Sequence, residues 1–299
     1  MSRSRCVSSE SLGLRLLSYA RPGYSGSSRQ PGRSIADAAA DTAAVVDAIG
    51  ASDFVTVGHS GGGPHALACA ALLPDRCRAA VTLGGVAPHD AAGIDWMAGM
   101  ADENAEEFTT ALDGEAVLRP YLTRYVQQFA DVTAEDVAAS LAGLVSDVDR
   151  AALTADLADM MARSLQRAAV DGVDGWIDDD LAFTKPWGFD VAAIAVPVAV
   201  WQGRHDRMVP FDHGQWLIDH IPTARSRLLD DEGHISLRPR RAPPSRPRRR
   251  CSRVEDHHRT LVGAPTQHVQ LSILHPNDRF RECTHVIQPP PTVGRVRHE

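Results

Sequence analysis

Hydrophobic and polar positions divide this 299-residue chain into short apolar runs and longer helical blocks. Asp53–Val57, Ala79–Leu83 and Val196–Gly203 are short, mostly β-branched or aliphatic runs, Arg225–Leu229 is a short mixed one, and a further run begins at Gly13. Runs of this length read as strands, and Val196–Gly203 as a buried one. Ser34-Ile35-Ala36-Asp37 is a capping-box variant opening a helix that Gly50 stops. Pro64–Leu73 reads as a helix with proline in its first turn, where the missing N–H does no harm. Phe211–Ile221 also has helical periodicity, and from about Pro88 to Asp190 the pattern is helical and acidic. Strands alternating with helices predict an α/β fold with a mostly parallel sheet. The long helical stretch predicts an insertion into it.

One junction carries chemistry. Val55-Thr56-Val57 runs into Gly58-His59-Ser60-Gly61-Gly62, and the helix follows at once. A Gly-x-Ser-x-Gly alone also occurs in ordinary glycine-rich turns; the strand before it and the helix after it make a nucleophile elbow the better reading. Such a turn is too tight for side chains at Gly58 and Gly62 and lifts the serine hydroxyl clear of the sheet edge. The helix N-terminus points its free N–H groups at the same spot.

A serine needs a base to take its proton, and the base needs an acid to orient it. Asp206 follows the strand ending at Gly203, and His234 follows the strand ending at Leu229. Both therefore fall in loops at strand C-termini, where parallel sheets build their sites. His205 is a rival base, Asp230, Asp231 and Glu232 are rival acids, and His59 reads as a packing residue at a strand end.

Gly58–Gly62, Gly203-Arg204-His205-Asp206 and Asp231-Glu232-Gly233-His234 together resemble the α/β-hydrolase superfamily, from about Gly13 to about Leu237. Gly58 to Leu73 is similar to the branch of prolyl aminopeptidase-like and small esterase-like serine hydrolases. The resemblance implies cleavage of a small ester or amide through an acyl-enzyme. Ser60 would be the nucleophile, His234 the base, Asp206 its orienter and the Gly61 N–H one oxyanion donor. Serine at the elbow argues against the dehalogenase and epoxide hydrolase branches, which use aspartate there. Residues 1–90 and 191–237 would form the core, and 91–190 a helical cap over the serine, with Trp96, Trp176 and Trp187 as candidates for lining the substrate pocket.

The family normally has three strands before the one at Gly13, and here only Met1–Leu12 fills that space. The third belongs between the fourth and fifth strands, so its loss should leave buried backbone groups unpaired or force a new register. It also normally leads to the second oxyanion donor. After Leu237 the composition changes. Of the 31 basic and 38 acidic residues, 13 and 5 lie in 238–299, leaving 18 and 33 before them. This arginine- and proline-rich stretch reads as a disordered basic tail without function, best explained by translation in a shifted frame; a solvated tail and a nucleic-acid or acidic-partner surface are the other readings. The alternatives to an active hydrolase are therefore an inactive truncated fragment and a non-catalytic binding protein using the cap pocket.

Composition narrows the rest. The five cysteines have irregular spacing and predict reduced thiols in a cytoplasmic location. No cofactor fingerprint and no metal-ligand spacing occurs, and no stretch is long enough to span a bilayer. The expected partner is a small-molecule substrate, with no specific nucleic acid and no membrane; the oligomeric state stays open.

Overall fold

The computed structural model describes residues 14–237 and the strand 268–273. Its sheet has six strands, all parallel, in the order β1-β6-β2-β3-β4-β5. These are β1 (Leu14–Leu17), β2 (Phe54–His59), β3 (Cys77–Leu83), β4 (Val198–Gly203), β5 (Ala224–Leu229) and β6 (His268–Ile273). Helices α1 (Asp37–Ala48), α2 (Gly62–Leu72) and α9 (Phe211–His220) connect successive strands. The apolar runs thus form strands and the periodic blocks form helices, with ends shifted by at most three residues. The Asp37 carboxylate accepts from Ser34 N–H at 2.7 Å, but the N-cap of α1 is Ala36, which makes no side-chain cap bond, so Ser34–Asp37 ties the turn before the helix rather than capping it.

The far end of the chain departs from expectation. His268–Ile273 is a strand between β1 and β2, pairing Leu16 with Gln270 and Val57 with Ser272. An unstructured tail therefore does not describe these residues, and the gap expected beside β2 is filled. Val269, Leu271 and Ile273 alternate with polar residues at the period of a strand, a signal submerged in the surrounding arginine and proline. Filling the slot satisfies the N–H and C=O groups that β1 and β2 would otherwise bury unpaired. The other residues of 238–299 lie outside the described residues.

Between β3 and β4 the chain leaves the sheet for α3 (Asp102–Leu112), α4 (Glu115–Phe129), α5 (Ala134–Leu144), α6 (Asp147–Ala152), α7 (Ala155–Ala168) and α8 (Asp174–Phe183). This insert has its own small cores. Val137, Leu141, Val145, Leu157 and Met161 form one, and Leu118, Leu122 and Ile177 centre another. The main core packs Ile35, Val46, Phe54, Leu67, Val198, Val200 and Leu217 around the sheet.

Charge fastens the insert to the loop after β1. Asp179 of α8 accepts from Arg21, from Arg33 at 2.5 Å and from Tyr24 Oη at 3.0 Å, and the carboxylate and both guanidinium groups are buried. Burial disfavours the Asp179 anion, but Arg21 and Arg33 outweigh it and hold the carboxyl below the usual range. Next to it, burial together with Glu107 raises the Asp180 carboxyl well above that range.

Candidate active site

Parallel register brings four loops to one edge. His59 lies level with Leu83, Leu83 with Trp201 and Gly203 with Leu229. The residues following these strands are Ser60, Gly84, Arg204 and Asp230, so the loops bearing Asp206 and His234 leave from the same edge as the serine.

Ser60 has φ +53°, in the left-handed region that non-glycine residues rarely enter. Local bonds hold it there: its N–H donates to Leu83 O at 2.9 Å, and its own carbonyl accepts from Gly63 N–H at 2.8 Å. A Cβ at Gly58 would overlap the Gly62 carbonyl, and one at Gly61 would come within 2.9 Å of the Phe183 ring. The backbone clash at Gly58 means that the chain turns from β2 into α2 only with glycine there, whereas at Gly61 the Phe183 ring would have to give way. Gly61 stands at the N-cap of α2, where the leading N–H groups have no intrahelical acceptor.

Asp206 and His234 form a buried pair. His234 Nδ1 lies 2.8 Å from Asp206 Oδ2. The other Asp206 oxygen accepts from Met208 N–H at 2.9 Å and Val209 N–H at 2.8 Å, while Gln202 Nε2 donates to Oδ2 at 3.1 Å. A carboxylate with its lone pairs so occupied is fixed in orientation. Burial alone would lower the His234 pKa, but Asp206, with Asp149 behind it, raises it above the ordinary histidine value.

Gly84 ties this pair to the serine. It follows Leu83, which holds Ser60, and a Cβ on it would sit 3.0 Å from His234 Nδ1 and 3.1 Å from Asp206 Oδ2. His59 closes the other side, with its ring centroid 4.7 Å from that of His234 and its Nε2 3.1 Å from His234 O. Among the described residues no hydrogen bond joins the Ser60 hydroxyl to His234. Asp206 and His234 are joined directly, and Ser60 is linked to their surroundings by its bond to Leu83, which precedes Gly84, and by its chain neighbour His59.

Of the rivals, Glu232 is buried in the loop that carries His234, and the other three are exposed. His205 is exposed, and only its N–H bonds across, to Glu232 O at 2.9 Å. Asp230 pairs with Arg204 at 2.8 Å, and Asp231 is exposed. The three tryptophans are packed within the protein. Trp96 is in the main core, with Nε1 donating to Ala87 O at 2.8 Å. Trp187 is buried in the same core, and Trp176 stacks on Phe129 and donates to Glu107 at 2.7 Å. None of them lines either of two surface clefts of about 350 and 410 Å³, and neither cleft is lined by Ser60. Expectation from sequence missed Gly84, Phe183 and Asp149. Gly84-Gly85 directly after an apolar run was the one available signal.

Among the described residues no three His, Cys, Asp or Glu side chains converge as metal ligands, and no helix is long and apolar enough to cross a membrane. Cys69 and Cys77 are buried free thiols whose pKa burial pushes up to about 12.

A parallel sheet, a left-handed serine between strand and helix, and a buried Asp–His pair on the same edge define an α/β protein of hydrolase type. A family model for the alpha/beta hydrolase fold matches residues 5–237, and the chain belongs to that family. Among solved structures it is similar to an alpha/beta hydrolase fold protein from Nakamurella multipartita, at 26% identity over 73% of this chain and 75% of that one, with TM-score 0.47. It is also similar to Est816, described as an N-acyl homoserine lactone degrading enzyme, at 22% identity over 72% and 71% with TM-score 0.47. A thermophilic esterase from Thermogutta terrifontis aligns at 19% identity over 71% and 70% with TM-score 0.49. No curated protein matches the chain.

Proposed function

We propose that this chain is a serine hydrolase that cleaves a small ester or amide through an acyl-enzyme, with Ser60 as nucleophile, His234 as base and Asp206 as its orienter. One observation carries the reading: the left-handed Ser60 directly follows His59, whose ring lies 4.7 Å from that of His234 in the buried Asp206–His234 pair. Strain at a polar residue beside an oriented imidazole is the arrangement nucleophilic catalysis needs.

In this scheme Ser60 Oγ attacks the carbonyl carbon while His234 Nε2 takes the hydroxyl proton. Asp206 holds Nδ1–H and stabilises the imidazolium that forms. The carbonyl oxygen becomes an oxyanion that accepts from Gly61 N–H at the positive end of α2. Collapse breaks the bond to the leaving alcohol or amine, which departs with the proton from His234. Water then gives a proton to His234 and attacks the acyl carbon, and the acid is released with Ser60 regenerated. Phe183, whose ring lies against Gly61, offers an apolar wall for the acyl group.

The test is covalent labelling with a fluorophosphonate. The chain should be labelled at Ser60, and Ser60→Ala should lose labelling with an unchanged circular dichroism spectrum. Equal labelling of both proteins refutes the assignment.

A further inference from the structure

The insert meets the edge of the sheet through one carboxylate. Asp149 lies in α6 and has no solvent exposure. Ser146, the N-cap of α6, donates its hydroxyl to Asp149 Oδ2 at 3.0 Å. The remaining capacity goes to the loop that carries His234. Oδ2 accepts from His234 N–H at 2.9 Å, and Oδ1 accepts from Ile235 N–H at 2.8 Å and Ser236 N–H at 2.9 Å. Three consecutive amides thus converge on an anion, as in the backbone nests that bind anions elsewhere. Here the anion is a side chain 85 to 87 residues away in sequence.

The fit has two further parts. A Cβ at Gly233 would fall on the Asp149 carboxylate, so the approach needs glycine there. Ile235 inserts among Val137, Leu141, Val145, Leu157 and Met161 of the insert. The histidine loop is therefore gripped by the insert through both polar and apolar contacts. Burying a carboxylate is costly unless its bonds are complete, and here they are.

We propose that Asp149 is a positioning residue for His234: it fixes the backbone from which the imidazole projects and couples that base to the seating of the helical insert. The inference rests on the serine hydrolase reading above for the role of His234. A shift of about 1 Å in a reacting group costs on the order of 10²-fold in rate, so a loose loop would be felt directly. Asp149 also contributes charge. The groups facing His234 are Asp206 from the loop after β4, the His59 ring from β2 and Asp149 from α6, with Glu232 two residues back in its own loop. Both Asp206 and Asp149 favour the imidazolium.

The test compares the full chain with Asp149→Asn, which keeps the shape, removes the charge and turns an N–H₂ toward the amides. Two quantities are read: the titration midpoint of the His234 imidazole by NMR, and the rate of Ser60 labelling by fluorophosphonate between about pH 5 and 8. The midpoint should move to lower pH, and the plateau labelling rate should fall about 10- to 10²-fold. An unchanged midpoint overturns the proposal, even if the rate falls, because a merely structural role would leave the titration where it was. Labelling of the Asp149→Asn protein at the wild-type rate likewise overturns it. If the wild type is never labelled, the hydrolase reading fails, while the NMR midpoint still decides whether Asp149 acts on His234. Should Asp149→Asn not fold, Ser146→Ala loosens the same carboxylate. It should shift the His234 backbone amide resonance and slow labelling several-fold, and no change in either would overturn the proposal.

Discussion

Replacing Gly84 by alanine adds one methyl group at the point where serine, histidine and aspartate are tied together. Two effects follow. Gly84 has φ +56°, and a left-handed backbone costs an alanine roughly 1–2 kcal/mol. For a domain of this size that corresponds to a melting temperature lower by about 2–8 °C. The new Cβ would also stand 3.0 Å from His234 Nδ1 and 3.1 Å from Asp206 Oδ2, so the pair must give by a few tenths of an ångström. Neither partner moves freely: Asp206 is held by two loop amides and Gln202, and the His234 loop by Asp149. With about 10²-fold lost per ångström of misplacement, the expected fall in Ser60 labelling is several-fold to about 10-fold. The loss in activity should therefore exceed what partial unfolding explains. Labelling rates and thermal melts of Gly84→Ala and wild type measure both quantities. A variant that melts as expected but labels at the wild-type rate would show that the Asp206–His234 position is not critical, and a variant with wild-type stability would refute the backbone reasoning.

Further outcomes are expected. Asp206→Asn removes the orienting charge and should lower labelling by on the order of 10⁴-fold, the scale of the equivalent change in other serine triads; a loss under about 10-fold would point to another acid. Only the neutral imidazole serves as base and its pKa is raised, so wild-type labelling should climb with pH through a midpoint above the ordinary histidine value of about 6.5; a midpoint below that would contradict the Asp206–His234 pairing. Asp179→Ala strands the buried Arg21 and Arg33 and should cost about 3–5 kcal/mol in urea unfolding, against less than about 1 kcal/mol if the network is dispensable. Because the folded-state pKa of Asp179 is depressed, its contribution is present above the ordinary carboxylate pKa and lost as pH falls through the folded value.

The strands and connecting helices were legible because each run carries its own period, and boundaries shifted by at most three residues. The strand–turn–helix around Ser60 was legible for the same reason: its parts are contiguous, and glycines flank the turn. Asp206 was preferred to Asp230, Asp231 and Glu232 because it follows its own strand, and it is the one that bonds His234 Nδ1. The tryptophans were not separable by such signals. A large aromatic in an amphipathic block packs equally well inward or against a ligand: Trp96 and Trp187 are buried in the main core, and Trp176 is partly buried beside a core of the insert.

The sequence by itself determined what is local: the order of strands and helices, the serine turn, and the strand-end loops that carry an acid and a histidine. These follow from interactions spanning a few residues, which composition and spacing encode directly. The tertiary structure decided what depends on approach between distant segments. It set β6 between β1 and β2, put Gly84 under the Asp206–His234 pair, laid Phe183 against Gly61 and drove the Asp149 carboxylate into the amides of 234–236. An aspartate in an acidic helix looks like solvated surface from sequence alone. Only the fold, by burying it against three N–H groups with no water to compete, turns that charge into a specific anchor.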